Sequence, residues 1–160
     1  MSMTEADMQH ALWLHLRDSG HGLVAPNFTP PHWWECDVFS LTEMGYAMEH
    51  EIKTCRGDYQ RDRLKGDKHA RLARGDVRGP AAFYFACPQG VLSREDLPAW
   101  AGLREITIRG RVITVRRAPI LHRQKMGPEA LLRLARTFCG RFWQLREGRV
   151  LLTFARKEAA

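Results

Sequence analysis

No apolar run in this chain approaches the ~20 residues of a membrane span, so no membrane-spanning segment is expected. Its four cysteines, Cys36, Cys55, Cys87 and Cys139, are scattered without any C-x-x-C spacing. That scatter argues against zinc and predicts reduced thiols in a cytoplasmic protein. His10 and His15 stand five apart on a predicted helix, so they make no i, i+4 metal pair. The N-terminus, Met-Ser-Met-Thr-Glu-Ala-Asp, lacks the basic stretch of a signal peptide. Internal repeats, low-complexity tracts and linkers are missing too. Basic residues are nearly missing from the first third: residues 1–52 hold only Arg17 against eight acids, a net of −7.

The rest of the chain has the opposite sign. Residues 53–78 carry nine Lys/Arg against four Asp/Glu, and residues 103–157 carry fourteen against three. The overall formal charge is +7. An acidic segment beside a basic majority suits a protein that holds a metal in one place and phosphate backbone around it. The plainer reading is an arginine-rich solvated surface. With 160 residues, 44% apolar and 27% charged, the chain reads as one globular domain, long enough to bury a core.

Thr4-Glu5-Ala6-Asp7 has the form of a capping box and Gly20 that of a stop, predicting a helix over 5–18 with Met8, Leu12 and Leu16 as its stripe. The prolines and Trp33-Trp34 of 22–34 predict a loop. Strands are expected at about 35–41 and 46–54 around a turn at Glu43-Met44-Gly45, and residues 58–74 as an exposed helix interrupted near Gly66. Ala81 to Cys87 is a continuous apolar run ended by Pro88, which fits a strand buried on both faces. Leu103–Ile108 and Arg111–Val115 form a candidate hairpin. Pro128 opens a helix through about Leu145 with Leu131, Leu134, Ala135 and Phe138 inward, and Val150–Phe154 is a candidate edge strand or tail. This order predicts an α/β (α+β) domain with a mixed central sheet flanked by helices, its core over about 4–88 and the hairpin and last helix over 103–154.

The chemistry concentrates at Asp37-Val38-Phe39 and Glu51-Ile52-Lys53. In a strand Glu51 and Lys53 emerge on one face. If the two runs pair as a hairpin, Asp37 joins them there. Two carboxylates suffice to grip a hard divalent cation, and an ammonium beside them completes the minimal equipment for phosphodiester hydrolysis. Asp37 followed by Glu51-x-Lys53 on the next strand, after an N-terminal helix, resembles the PD-(D/E)xK nuclease superfamily. Arg56-Gly57-Asp58-Tyr59-Gln60-Arg61-Asp62 and Phe83-Tyr84-Phe85-Ala86-Cys87-Pro88 are similar to bacterial and phage members, including the MmcB-like DNA-repair-associated branch. The likeness covers about residues 4–88 and departs in having Cys36 where the superfamily has proline.

The resemblance implies a restriction-endonuclease-like core and a metal-dependent nuclease, acting on DNA in preference to RNA. It implies Mg²⁺ or Mn²⁺ held by Asp37, Glu51 and the backbone carbonyl of Ile52, with Lys53 positioning or helping to deprotonate the attacking water. Lys53 could instead be an ion pair with Glu51 or Glu49. Glu5, on the stripe facing the sheet, matches the helix acid that often completes such a site, and could equally favour its own helix N-terminus. Glu35 and Glu49 share strand faces with Asp37 and Glu51 and read as flanking surface acids or else as outer ligands of the metal, and His50 reads as a packed core histidine. Arg56, Arg61, Arg63, Lys65, Lys68 and Arg71 are the candidate phosphate contacts, or a solvated helix face. Trp33 and Trp34 are candidates for base stacking or for the core. Cutting both strands of a duplex would favour a homodimer. The competing functions are a non-catalytic nucleic-acid-binding protein of the same fold and a small basic adaptor.

Overall fold

A computed structural model describes residues 3–62 and 66–148. The chain falls into two compact units, Met1–Lys125 and Met126–Ala160. The first carries a six-stranded mixed sheet in sequential order, β1 (His21–Phe28), β2 (Cys36–Thr42), β3 (Ala47–Ile52), β4 (Ala82–Pro88), β5 (Ala101–Ile106) and β6 (Val112–Arg116). The β1–β2, β2–β3 and β5–β6 pairs are antiparallel, whereas β3–β4 and β4–β5 are parallel. The expected α+β architecture is therefore present.

Helix α1 (Glu5–Arg17) starts where the sequence predicts. The Asp7 N–H donates to Thr4 Oγ1, and Asp7 Oδ2 accepts from the Thr4 N–H at 2.9 Å, so two orphan amides are satisfied reciprocally. Met8, Leu12 and Leu16 are fully buried against Val38, Ile52, Ala86 and Ile106. Each contributes about 1.5–3 kcal/mol of burial, which fixes α1 on one face of the sheet.

The crossover from β3 to its parallel neighbour β4 contains α2 (Arg56–Asp62) and α3 (Gly66–Ala73). Tyr59 of α2 and Leu72 of α3 pack with Phe83, Phe85, Cys87 and Leu103 on the opposite face. Tyr59 meets Phe85 edge-on at 5.1 Å between ring centroids, and its hydroxyl donates to the Asp96 carbonyl at 2.6 Å. Asp96 ends a short 3-10 turn (Arg94–Asp96) in the β4–β5 connection.

Of the expected loop over 22–34, residues 22–28 belong to strand β1, and only 29–34 form a loop. Pro26 stands within β1 opposite Val38, which is tolerated because β1 is an edge strand whose outer amides need no partner. The turn between β2 and β3 requires Gly45, whose φ of +87° lies in the left-handed region. In the second unit α4 (Pro128–Arg146) follows the predicted bounds. Of its expected inward residues only Leu134 is buried; Leu131 and Ala135 are exposed, because the apolar residues of this helix spread around it, with Leu132, Phe142 and Trp143 also exposed. Val150–Phe154 lies outside the described residues.

Candidate active site

β3 lies inside the sheet, so its alternating side chains meet packed layers on both sides. Its even positions serve the α1 face: Ile52 joins the apolar cluster under α1. Its odd positions, Glu49 and Glu51, with Lys53 just beyond, face α2 and α3, and all three are buried, at 0, 5 and 3% exposure. Charged groups in such a place must pair.

They do so with one another and with the crossover helices. Lys53 Nζ donates to Glu51 Oε1 at 2.9 Å and lies 3.3 Å from Asp62 Oδ1 of α2. Lys68 reaches in from α3, with Nζ 2.7 Å from Glu49 Oε1 and 2.7 Å from Glu51 Oε2. Trp34 Nε1–H donates to Glu49 Oε2 at 2.7 Å, and His69 Nε2 lies 3.2 Å from Asp62 Oδ2. Asp37 lies one residue beyond the β2–β3 register that pairs Val38 with His50. Its Oδ2 accepts the Ile52 N–H at 2.9 Å, so the carboxylate takes up an amide just past the end of that register.

Burial, with Glu51 beside it, pushes the Glu49 carboxyl up to about 7 despite the Lys68 ammonium. Burial acts the same way on Glu51, yet the charges of Lys68 and Lys53 outweigh it and hold Glu51 below the usual carboxylate range. Lys53 loses to burial but gains more from Glu51 and Asp62, so its ammonium is held above the usual lysine range. Glu51, Lys53 and Lys68 are thus ionised at neutral pH, while Glu49 is poised to change charge there.

Asp37, Glu51 and Lys53 therefore sit at one end of β2 and β3 on or beside the α2/α3 face. The structure brings the amide of Ile52, next to its proposed ligating carbonyl, against Asp37. Glu5 is half-buried and is linked to the site through Gln9, whose Nε2 lies 3.4 Å from Glu5 Oε1 and 3.2 Å from the Asp37 carbonyl oxygen. Glu49, read as a surface acid, is the most deeply buried carboxylate of the group. Glu35 is exposed as expected. The signal for Glu49 was there: an i, i+2, i+4 row of ionisable residues on a strand flanked by the wholly apolar β4 run has no solvent face to occupy.

The basic set divides. Lys68 is an interior partner of two glutamates, not a solvent-facing phosphate contact. Arg71 is tied to Asp76 and to the carbonyls of His32 and Arg78, with its guanidinium 5.0 Å from the Trp34 ring. Arg56 is engaged by both oxygens of Asp96. Arg61 remains exposed, 3.6 Å from Asp58. Arg63 and Lys65 lie outside the described residues. Trp34 serves Glu49, and Trp33 packs edge-on against Phe39, so both indoles are engaged in internal packing.

Among the described residues no three His, Cys, Asp or Glu side chains form a ready metal cage. Glu49 and Glu51 nonetheless converge on one cationic centre, the Lys68 ammonium. Hard carboxylate oxygens aimed at one point are the donor set that Mg²⁺ or Mn²⁺ uses when water supplies the other positions.

No family model matches the chain, and no curated protein matches it. A solved structure of similar fold is the SPO1766 protein of unknown function from Silicibacter pomeroyi, with a TM-score of 0.67. The chain is 23% identical to it, over 94% of this chain and 99% of that one. What the two share is a fold.

Proposed function

We propose that the chain is a divalent-metal-dependent nuclease of the PD-(D/E)xK kind, hydrolysing phosphodiester bonds in DNA. The observation that carries this reading is the buried row Glu49–Glu51–Lys53 at the end of β3 with Asp37 beside it. Asp37 and Glu51 would hold Mg²⁺ or Mn²⁺, with Glu49 beside Glu51 on the same Lys68 ammonium. The bound cation would supply charge neutralisation at the phosphate and a more acidic water.

The remaining work falls to the protein's own groups. Lys53 is held as an ammonium by Glu51 and Asp62, so its role is to stabilise the negative charge gathering on the pentavalent phosphorane, not to accept a proton. Asp62, seated by His69, holds Lys53 from the α2 side. For a cation to take both glutamates, the Lys68 ammonium must withdraw. Lys68 is thus a competitor for the site in the protein alone and a ready contact for a substrate phosphate once displaced.

That same bridge supports a second reading. With Lys68 already neutralising Glu49 and Glu51, a non-catalytic nucleic-acid-binding protein would need no metal. The deciding experiment incubates the pure protein with plasmid, linear, single-stranded and branched DNA, and with RNA, in Mg²⁺, Mn²⁺ or EDTA. Metal-dependent cleavage that Glu51→Gln abolishes supports the nuclease. Salt-sensitive binding without cleavage in any metal selects the second reading.

A further inference from the structure

On the α2/α3 face the acid row continues outward through one more carboxylate. Asp62, the last residue of α2, is buried and divides its two oxygens. Oδ1 lies 3.3 Å from Lys53 Nζ, and Oδ2 lies 3.2 Å from Nε2 of His69 on α3. A carboxylate can only accept, so the shared proton sits on Nε2, and Nδ1 of the neutral ring keeps its lone pair. Among the described residues Nδ1 makes no hydrogen bond. The His69 side chain is 17% exposed against 1% for Asp62, so the pair opens to solvent at the imidazole. Trp100 stands 5.2 Å from the imidazole, centroid to centroid, and is itself packed on Phe83 and Phe85 of the core. Asp62 at one edge and the indole at its side restrict how the ring can turn.

The hydrolysis proposed above takes a proton from water, and the acid row holds no group ready to receive it. Lys53 is already an ammonium. Glu51 lies between Lys53 and Lys68, whose charges hold it ionised and weaken it as a base. Glu49 has one oxygen on Lys68 and the other on the Trp34 indole, with no exposed surface. Asp37 takes the Ile52 amide. His69 has what they lack, a basic lone pair and access to solvent. Its place also suits the work. His69 and Lys53 stand on the two oxygens of one carboxylate, so a phosphate taken by the Lys53 ammonium lies beside the imidazole.

We propose that His69 is the general base of the nuclease reaction, an assignment that rests on the nuclease reading, and that Asp62 fixes its tautomer. A water oxygen bonds to phosphorus while its proton passes to Nδ1. The P–O ester bond breaks, and its electron pair leaves on the sugar oxygen, which takes a proton from solvent. The imidazolium then returns its proton to bulk water through the exposed side of the ring. Asp62 stabilises that imidazolium as it stabilises the Lys53 ammonium. Around the pair the charged groups are Asp62 and Asp58 of α2, Glu51 and Lys53 of the acid row, and Lys68 on the ring's own helix.

The test measures cleavage of an oligonucleotide duplex by the full chain at saturating Mg²⁺, beside a matched duplex in which sulfur replaces the leaving oxygen. His69→Gln keeps an N–H for Asp62 but offers no basic nitrogen. It should lower kcat by about 100- to 10,000-fold and leave KM, Mg²⁺ affinity and the melting temperature in EDTA close to the parent's. The sulfur substrate should show the same deficit, because a base acts on the attacking water and not on the leaving atom. Imidazole added to His69→Ala should restore part of kcat, in proportion to its neutral form as the pH is varied. Normal cutting by His69→Gln would make His69 a seat for Asp62 alone, and a deficit that vanishes on the sulfur substrate would make it an acid. Either result overturns the assignment and leaves the nuclease standing. If His69→Ala does not fold, His69→Gln on the two substrates decides. A parent that cuts no nucleic acid in any metal ends the nuclease reading and this base with it.

Discussion

Lys68 Nζ lies 2.7 Å from Glu49 Oε1, a pairing between helix α3 and the centre of the sheet in which the carboxylate has no exposed surface. Removing the ammonium leaves a buried acid without its main counter-charge, a change that costs about 3–5 kcal/mol in comparable pairs. Lys68→Met should therefore lower the melting temperature in EDTA. If Glu49 and Glu51 can share a cation, Mg²⁺ or Mn²⁺ should restore the variant far more than it stabilises the parent, since ligand binding to the folded state adds RT ln(1 + [L]/Kd). Equal metal responses in the two proteins would remove the glutamates as common ligands.

Asp37 has a structural duty that must be separated from a chemical one. Its Oδ2 accepts the Ile52 amide proton at 2.9 Å, and an asparagine carbonyl can do the same. Asp37→Asn should keep the fold and lose cleavage, whereas Asp37→Ala should lose both cleavage and some stability, about 1–3 kcal/mol for a buried amide left unmet. Lys53→Met should reduce turnover about 100- to 1,000-fold with little change in metal affinity, and Glu51→Gln should weaken metal binding. Normal cutting by Asp37→Asn in Mg²⁺, measured by plasmid nicking, would strike that residue from the ligand set.

Much of this arrangement could be read from residue order. The capping box, the alternation in β2 and β3 and the apolar β4 run locate α1 and the sheet, because local hydrogen bonding and burial act there in the same direction. β1 was hidden by Pro26, since proline signals a break unless the strand is known to lie at an edge, and that depends on the whole topology. The roles of Lys68, Arg71 and Trp34 were equally hidden. A basic helix with few apolar anchors looks solvated until the crossover between parallel strands forces its inner face onto buried acids. Arg104 is followed directly by the acid Glu105, yet strand alternation sends that carboxylate to the other face, so residue order did not show that Arg104 would be buried without an ion pair among the described residues.

Acid should destabilise the fold through the histidines of the α1 face. Burial first, then the charges of Arg104 and His15, lower the His21 pKa from the ordinary range to about 4. The unfolded chain takes up a proton near pH ~6.5 that the folded chain refuses until far lower. The stability tied to His21 is thus complete above that ordinary value and is lost as the pH falls toward about 4, by up to ~1.4 kcal/mol per pH unit. His50 is shifted in the same direction, and Ser40, Tyr84, His15 and Arg104 are the groups facing the pair. Urea melts between pH ~4.5 and ~7 should show a shallower pH dependence in His21→Gln than in the parent. Parallel curves would mean that His21 is not held neutral.

The positive charge after the acid row is testable in a form that the pairing geometry now narrows. Lys68, Arg71 and Arg56 are committed to Glu49 and Glu51, Asp76 and Asp96, so neutralising them would disturb the fold or the acid site. Arg61 is exposed and only loosely paired with Asp58, and Arg63 and Lys65 follow it in sequence. Replacing Arg61, Arg63 and Lys65 with glutamine should weaken binding to unrelated DNA sequences alike, because phosphate contacts position a protein without reading bases. The slope of log K against log salt should flatten by about 0.9 for each phosphate no longer neutralised, or about 2.7 for all three on duplex DNA. Metal binding should survive, since Asp37, Glu49 and Glu51 stand on β2 and β3 and keep their own partners there. The matched control neutralises Arg133, Arg136 and Arg146 of α4, which are exposed. Filter binding across a salt series discriminates the two: if the α4 variant loses affinity and slope while the first keeps both, the phosphate footprint belongs to the second unit and the segment after β3 serves only to hold the acid row.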